Sequence, residues 1–381
     1  EGVQKIGTDD LTVTGATVDT VVHTAGSNTA TVNVIVTDDS MANVSITAKP
    51  SIVDLAGNPM VQAVVNNSQT VDTVNPSTIS GAPTVSDPTI TDTDDGKKLD
   101  VSFTFSEAMD TGTTPTVTFD PAVASTLTNQ SGAWQSDGKT YKVQATIDDQ
   151  GIDANEVKID ITGAKDVAGN VQVDHTAVKG LEVDTENPTA SYVSTIKSQN
   201  TNGAADVASD ADPVVAYTVT FSEPVAAIQA SDIDVAGGAL VDGTLALSTD
   251  KKKATFDVQA SDNSVADLVV KVKDTVKDLN GNKLVESSST AVDVDTVNPG
   301  VTITDDQSGI AFDSENTVAY KLTFTEGVQK IGTDDLTVTG ATVDSIDHTA
   351  GSNTATVNVT VTDGSTANVS ITAKKSIVDL A

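Results

Sequence analysis

Carboxylate side chains recur at fixed places in this chain, and they are the residues best suited to chemistry. A glutamate ends each of three Phe-Ser/Thr-Glu triplets, and aspartates recur in Asp-x-x-Gly-Asn and Val-Asp-Thr-x-Asn-Pro sequences. Carboxylate and amide oxygens are the ligands that Ca²⁺ prefers, at about six to eight per ion. Zinc or copper would favour His or Cys ligands. The residue types therefore predict binding of a hard cation.

The order of the three motifs never changes, and this order assigns their members to three groups. Each group takes an aspartate and an asparagine from one Val-Asp-Thr-x-Asn-Pro motif, and a glutamate and an aspartate from the segment that follows. We call them junction groups one, two and three. Their predicted metal ligands are Asp72, Asn75, Glu107 and Asp166 in group one, Asp184, Asn187, Glu223 and Asp278 in group two, and Asp295, Asn298, Glu326 and Asp379 in group three.

Three clustered carboxylates repel one another, and this repulsion favours a bound cation. At about 5 Å each pair costs roughly 1 kcal/mol in water and about 3 kcal/mol at an effective dielectric near 20. We expect Ca²⁺ to offset this cost, with Mg²⁺ as the second choice. The alternative is that Asp and Asn only form turns and Pro only starts a strand. The glutamate favours calcium, because a turn does not require it.

Internal repeats define the elements that must position these groups. Residues 1–56 and 326–381 align at an offset of 325 and differ at seven positions, while the linker motif recurs at steps of 112 and 111 residues. A unit near 110 residues has the size of an immunoglobulin-like (Ig-like) sandwich. We predict a partial domain at 1–74 whose first strands are missing, whole domains at 75–186 and 187–297, and a partial domain at 298–381 whose last strand is missing.

Alternating apolar residues predict the strands of each domain. Val101, Phe103 and Phe105 alternate with polar residues, a period of two that is typical of a half-buried strand. About seven such strands per unit predict an all-β fold of tandem Ig-like Greek-key β-sandwiches in a linear array. In that fold the glutamate at a strand end, the Asp-x-x-Gly-Asn turn and the linker should meet at one pole of the domain.

Composition excludes several classes of function. The net charge of −33 disfavours nucleic acid and anionic lipid, and no apolar run approaches the roughly 18 residues of a membrane span. Motifs of nucleophilic or metal-dependent catalysis are absent, so we predict that the chain is not an enzyme. The three histidines, His23, His175 and His348, lie in polar sequence and are predicted to be solvated.

The motif order resembles that of bacterial Ig-like repeats in large surface adhesins of the Bap and RTX types. The residues that carry the resemblance are the alternating strand ending at Phe105-Ser106-Glu107, the Asp-x-Ala-Gly-Asn turn at 166–170 and the Val-Asp-Thr-x-Asn-Pro linker at 183–188. In the third repeat, Asn280 stands at the position of the alanine of the Asp-x-Ala-Gly-Asn turn, which is a mild departure from the family pattern. The resemblance implies a secreted, repetitive protein that Ca²⁺ stiffens between domains.

The expected function is therefore an extender segment of a bacterial cell-surface adhesin that supports adhesion or biofilm formation. The alternative is a self-assembling surface-layer or extracellular fibre protein. The expected partners are neighbouring repeats of the same chain, or identical chains through the incomplete end domains, with no nucleic acid and no membrane insertion. The expected location is extracellular, on the bacterial surface or secreted.

Overall fold

A computed structural model describes residues 1–61, 64–65, 68–197, 207–307, 316–362, 364 and 366–380. The chain divides into two compact units, Glu1–Glu186 and Asn187–Ala381. The linker motifs divide the sequence into four repeats, and we call residues 1–74, 75–186, 187–297 and 298–381 repeats 1 to 4. Repeats 1 and 2 belong to the first unit, and repeats 3 and 4 belong to the second.

The described residues of repeat 1 form five strands in two small sheets. One sheet has the order β1-β4-β5 and the other pairs β2 with β3. Thr31–Val36 exposes every second residue, as a strand with one covered face does. The strands are β1 (Leu11–Thr14), β2 (Ala16–Val22), β3 (Thr31–Val36), β4 (Ser45–Ala48) and β5 (Val64–Val65).

Repeat 2 is a two-layer sandwich of two four-stranded sheets, with orders β10-β11-β8-β6 and β7-β13-β12-β9. The first strand region divides between the sheets: β6 joins the first, and β7 joins the second by pairing in parallel with the last strand, β13. Between the sheets lies a core that includes Phe103, Phe105 and Ile159. The strands are β6 (Thr84–Val85), β7 (Thr89–Ile90), β8 (Lys98–Thr104), β9 (Thr116–Asp120), β10 (Leu127–Trp134), β11 (Thr140–Ile147), β12 (Asp153–Thr162) and β13 (Val178–Asp184).

Repeat 3 has the same plan. One sheet has the order β14-β16-β20-β18, and β19 also pairs with β20. A second sheet has the order β17-β21-β22, and a third is the parallel pair β15-β23. Its core includes Tyr217, Phe256 and Leu268. The strands are β14 (Ala190–Ile196), β15 (Val207–Ser209), β16 (Val214–Phe221), β17 (Ile233–Ala236), β18 (Gly238–Leu240), β19 (Ala246–Leu247), β20 (Lys253–Ala260), β21 (Val269–Val272), β22 (Ser287–Ser288) and β23 (Asp293–Asp295).

Repeat 4 sets the sheet β24-β25-β28-β27 against the pair β26-β29. Its core includes Tyr320, Leu322 and Phe324, which all come from β25. The strands are β24 (Val301–Asp305), β25 (Thr317–Phe324), β26 (Leu336–Thr339), β27 (Ala341–Asp347), β28 (Thr354–Val361) and β29 (Ser370–Ala373).

These observations define a tandem array of Ig-like β-sandwiches, and they confirm the predicted all-β fold class. The helical segments of the described residues are single 3₁₀ turns, Thr8–Asp10, Asp92–Asp94, Ala230–Asp232 and Thr333–Asp335. No helix among these residues has the length and apolarity needed to cross a membrane.

Candidate metal centre

The Asp-x-x-Gly-Asn motif forms a tight turn that its aspartate organises. Asp166 Oδ1 accepts hydrogen bonds from the backbone N–H groups of Gly169 (2.7 Å) and Asn170 (2.8 Å), and its Oδ2 accepts one from Asn170 Nδ2 at 2.7 Å. This is the Asx-turn role that the non-metal alternative foresaw. The turn also fixes where the carboxylate lies, because both of its oxygens are tied to the loop.

The same turn recurs wherever the full motif is present. Asp278 Oδ1 accepts from the N–H groups of Asn280, Gly281 and Asn282, and Asp54 Oδ1 accepts from those of Ala56 and Asn58. The motif glycine is required because its φ is positive, at +92° in Gly57 and +99° in both Gly169 and Gly281.

Each motif glutamate is brought to this turn by the residue two places after it. Met109, Val225 and Val328 follow Glu107, Glu223 and Glu326 at that spacing, and each is buried. They form isolated antiparallel bridges with Asp166, Asp278 and Asp379, respectively. Burial of one apolar side chain thus anchors the glutamate beside the aspartate.

The linker is anchored by its threonine. Thr73 Oγ1 donates to the carbonyl of Thr37 (3.0 Å), and the Asp72 carboxylate accepts from the Val74 N–H at 3.1 Å. On the repeat 2 side, Asn170 Nδ2 donates to the carbonyls of Asp72 (3.1 Å) and Val74 (3.3 Å). The linker of the first unit is therefore held by both repeats that it joins.

In the second unit Thr296 has the equivalent role. Its side chain, 2% exposed, donates to the carbonyl of Ser261 at 2.7 Å, while the Asp295 carboxylate accepts from the Val297 N–H at 3.3 Å. The linker aspartate is thus oriented in the same manner in both units.

Junction groups one and three each converge on one place. Asp72, Glu107 and Asp166 each offer one carboxylate oxygen within 4.8 Å of the other two, and so do Asp295, Glu326 and Asp379. Asp166 is buried and the other five side chains are half-buried. Three carboxylates at this spacing form a donor set that suits Ca²⁺ and lacks the nitrogen or sulfur ligands of zinc.

The mutual repulsion of these carboxylates is visible in the glutamates. Burial raises the pKa of the Glu107 carboxyl above its usual value, and the nearby Asp72 and Asp166 carboxylates raise it further, while Lys139 opposes them. Burial, Asp295 and Asp379 likewise raise the pKa of Glu326. Both glutamates therefore lie in surroundings that disfavour their charged form and that a cation would relieve.

Junction group two falls on both sides of the unit boundary. Asp184 ends β13 in the first unit, where its carboxylate accepts from the Glu186 N–H at 3.3 Å. Glu223 and Asp278 lie in the second unit. Their grouping with Asp184 and Asn187 stays a prediction.

The predicted asparagine ligands lie on the linkers. Asn75 and Asn298 are both exposed, and Asn298 Nδ2 donates to the Asp210 carboxylate at 2.6 Å. Asp210 lines a pocket of about 80 Å³ together with Asn298 and Asp379. Sequence reasoning missed Asp210, although the Ser-Asp-Ala-Asp sequence at 209–212 was a signal of an acidic loop.

The prediction that the histidines are solvated was wrong. His23 and His348 are only 8% and 3% exposed. His23 Nδ1 accepts a hydrogen bond from the Ile6 N–H, and its Nε2 lies 3.2 Å from the Ser27 carbonyl oxygen. His348 has the equivalent partners: its Nδ1 accepts from the Ile331 N–H, and its Nε2 lies 3.1 Å from the Ser352 carbonyl oxygen. They fasten the loop at Ile331, which follows Glu326, and the equivalent loop at Ile6, a role that polar neighbours in the sequence concealed.

The side chain of His175 is also buried, with 3% of it exposed. Its Nδ1 lies 2.8 Å from Asp160 Oδ1, and its ring meets the edge of Phe103. The residue packs under the sheet of repeat 2 rather than facing water.

Comparisons with known proteins add little to these observations. No family model matches the chain, and no curated protein matches it. Among solved structures, a marsupial T cell receptor is 8% identical, with 76% of this chain and 98% of the receptor chain covered and a TM-score of 0.25. The N-terminal eight Ig domains of Down syndrome cell adhesion molecule are 9% identical, with 95% of this chain and 50% of that chain covered and a TM-score of 0.23. Scores at this level carry no argument, so the fold assignment rests on strand pairing and cores.

Proposed function

We propose that this chain is a calcium-stiffened extender segment of a bacterial cell-surface adhesin. The observation that carries the proposal is the convergence of a linker aspartate with a glutamate and an aspartate of the following repeat in junction groups one and three. A cation bound there would join the linker to two separate loops of the next domain. Its removal would leave three like charges to repel one another.

The chemistry of the donor set supports calcium over other ions. The carboxylates are half-buried or buried, and the carbonyls of the linker are close to the turn, as the contacts of Asn170 with Asp72 and Val74 indicate. Ca²⁺ accepts carboxylate and carbonyl oxygens in irregular geometry, whereas Mg²⁺ demands a tighter octahedron and retains its waters.

The proposed role is mechanical support, not catalysis. A long chain of such domains, held at fixed angles by the ion, would carry a distal adhesive region away from the cell. The strongly acidic surface would keep neighbouring chains apart in solution. Extracellular calcium concentrations suit sites of the weaker affinity class, on the order of 10⁻⁴–10⁻³ M.

The test compares a site variant with a charge-matched control by calorimetry and small-angle scattering, with calcium and with chelator. The site variant is Asp72→Asn with Glu107→Gln, and the control is Asp174→Asn with Glu156→Gln, which changes two exposed acids of repeat 2. We expect the site variant to lose one bound ion and the control to lose none.

Scattering supplies the mechanical readout. The wild-type chain and the control should become more flexible on chelation, and the site variant should be more flexible even with calcium present. Equal ion counts in all three proteins, or scattering profiles that chelation leaves unchanged, would reject the proposal.

A further inference from the structure

The loop that joins β10 to β11 passes beside the motif glutamate of repeat 2. The N–H of Phe105 donates to the Lys139 carbonyl at 3.0 Å, and the N–H of Met109 donates to the Gly138 carbonyl at 2.8 Å. These two hydrogen bonds lie on either side of Glu107 in the sequence. The loop that carries Lys139 is therefore fixed next to the glutamate of junction group one.

The side chain of Lys139 extends to the residue before this glutamate. Its Nζ donates to the carbonyl of Ser106 at 3.3 Å, and Ser106 directly precedes Glu107. Its backbone N–H donates to Asp137 Oδ1 at 3.0 Å, which fixes the loop from the other side. In the part of the chain that the structure describes, Lys139 and Glu107 do not form an ion pair. The ammonium thus adds a positive charge near the cluster without occupying its carboxylate oxygens.

The charge of Lys139 acts on Glu107. Burial, Asp72 and Asp166 raise the pKa of the Glu107 carboxyl, and Lys139 is the group that opposes them. Lys139 is half-buried, so solvent screens its charge only in part.

Repeat 3 has the same arrangement. The N–H of Phe221 donates to the carbonyl of Lys252 at 2.9 Å, and Lys252 Nζ donates to the carbonyl of Ser222 at 3.4 Å. Ser222 directly precedes Glu223. The lysine and its contact with the carbonyl before the glutamate therefore recur in two repeats whose loops differ in sequence, Asp-Gly-Lys and Asp-Lys-Lys.

Repeat 4 has an uncharged residue at this loop position. The N–H of Phe324 donates to the carbonyl of Asn353 at 2.8 Å, and the N–H of Val328 donates to the carbonyl of Ser352 at 3.3 Å. Asn353 therefore takes the place of the lysine beside Glu326. At this glutamate, burial and the two aspartates of junction group three all raise the pKa of the carboxyl.

We propose that Lys139 is a built-in counter-ion of junction group one, which lowers the affinity of the group for calcium and stabilises the group when calcium is absent. The inference rests on the proposed calcium function. Without calcium, the ammonium offsets part of the repulsion among the three carboxylates; with calcium, it repels the ion. An asparagine at the same position, as in repeat 4, has neither effect. Junctions of the lysine type therefore fill at higher calcium concentration and lose less order when calcium is removed.

The first test is a calcium titration of the full chain by calorimetry, with Lys139→Gln and the control Lys98→Gln. Lys98 is exposed at the start of β8, whereas Glu107 follows the end of that strand. We expect Lys139→Gln to tighten calcium binding at one site by about three- to tenfold, and Lys98→Gln to change it by less than about twofold. Lys139→Arg retains the charge and should retain wild-type affinity. A loss of structure alone would weaken binding, so the direction of the change separates the two explanations.

A second background assigns the change to junction group one. In a chain that already carries Asp72→Asn and Glu107→Gln, the calcium ligands of this group are removed. Adding Lys139→Gln to that chain should leave the remaining calcium binding unchanged, because the lysine acts on group one.

The reciprocal variant is Asn353→Lys, which should weaken calcium binding at junction group three by a similar factor. Asn353 is exposed and contacts Phe324 through its backbone carbonyl, so the substitution preserves that hydrogen bond. The control is Asn316→Lys, which adds the same charge at an exposed residue directly before β25, whereas Glu326 follows the end of that strand.

The last test needs no calcium. In chelator, thermal unfolding of repeat 2 is followed by the fluorescence of Trp134, the only tryptophan of the chain, which packs against the core of that repeat. Lys139→Gln should lower the melting temperature by about 2–4 °C relative to Lys98→Gln at low salt. About 1 M salt should remove most of this difference, because it shortens the Debye length to about 3 Å. Loss of a hydrogen bond alone would persist in salt.

Unchanged or weaker calcium binding by Lys139→Gln would overturn the proposal, and so would equal tightening by Lys98→Gln. A melting difference that persisted in salt, or no difference at all, would overturn it too. If wild type bound no calcium, the proposed function would be wrong, and unfolding in chelator would still decide whether Lys139 is a counter-ion. The two failures are therefore distinct.

Discussion

Met109 and Asp166 form an antiparallel bridge, and this contact sets the Glu107 carboxylate beside that of Asp166. Val328 and Asp379 repeat it in the second unit. A buried apolar side chain two residues after the glutamate is thus the structural reason why acids far apart in sequence meet.

Glu107→Gln should have opposite effects with and without calcium. In chelator at neutral pH it should stabilise repeat 2, because it removes one of three carboxylates that repel one another. With calcium it should weaken binding by about 10- to 100-fold, the loss that even an outer-shell partner of a metal can cause. Thermal unfolding and calorimetry measure the two effects, with Glu156→Gln as the control. A change of the same sign in both conditions would contradict the prediction.

The stability of the calcium-free chain should depend on pH in a defined direction. The folded-state pKa of Glu326 is raised above its ordinary value of 4.5, so its contribution to stability is full below that value and is lost as pH rises through the folded pKa. In chelator, wild type should lose stability relative to Glu326→Gln as pH rises from about 4 to 7.

Aspartates with lowered pKa act in a different window. Hydrogen bonds from Lys142 and Gln144 lower the pKa of Asp100 below its ordinary value of 3.8, so its contribution is present above that value and lost at more acid pH. Denaturant unfolding of wild type and of Glu326→Gln, measured from acid pH up to pH 7, separates the effect of Glu326 from that of Asp100. If the free energies of unfolding of the two proteins changed in parallel between pH 4 and 7, Glu326 would not be coupled to its neighbours.

Gly169→Ala should distort the turn that holds Asp166. The residue has φ of +99°, and nothing lies near its missing Cβ, so the cost is backbone strain of about 1–2 kcal/mol and not a clash. Calcium affinity should fall because the carboxylate moves with the turn. Gly81→Ala, at a loop position without positive φ or close neighbours, is the control. Equal melting and calcium titration curves for the two variants would refute the argument.

The His348 ring should carry its proton on Nε2 and not on Nδ1. Its Nδ1 accepts from the Ile331 N–H at 3.3 Å, and Nε2 faces the Ser352 carbonyl at 3.1 Å, which requires a donor there. Nitrogen-detected NMR of the ring should report this tautomer for His348, and for His23 as well. His348→Leu should cost about 1–3 kcal/mol, because it leaves a buried N–H and a carbonyl unpaired. A ring protonated on Nδ1 at neutral pH would disprove the assignment.

The sequence predicted the fold class and the meeting of the acids because both depend on local patterns. Alternation places Phe103 and Phe105 in the core, and the strand that contains Phe103 ends at Thr104, three residues before Glu107. The order of the motifs in the chain repeats, and the carboxylates of groups one and three each converge in the same way.

What the sequence did not predict depends on contacts between distant loops. His348 lies in a run of polar residues, and contacts with the loop after Glu326 and with Ser352 bury it. Asp210 meets Asn298 across 88 residues, a contact without any local pattern. The division of the first strand region into β6 and β7 was likewise unforeseen, since two-residue strands carry too little periodicity to detect.

The parallel pairs β7–β13 and β15–β23 have a consequence for a chain pulled by its ends. Each joins the opening and closing segments of one repeat, with Val183 beside Ile90 and Val294 beside Ala208. Because the paired strands run in the same direction, tension on the two ends slides one along the other. The hydrogen bonds between them are then loaded together in shear instead of being unzipped one at a time. Repeats 2 and 3 thus each carry a clamp that does not depend on an ion.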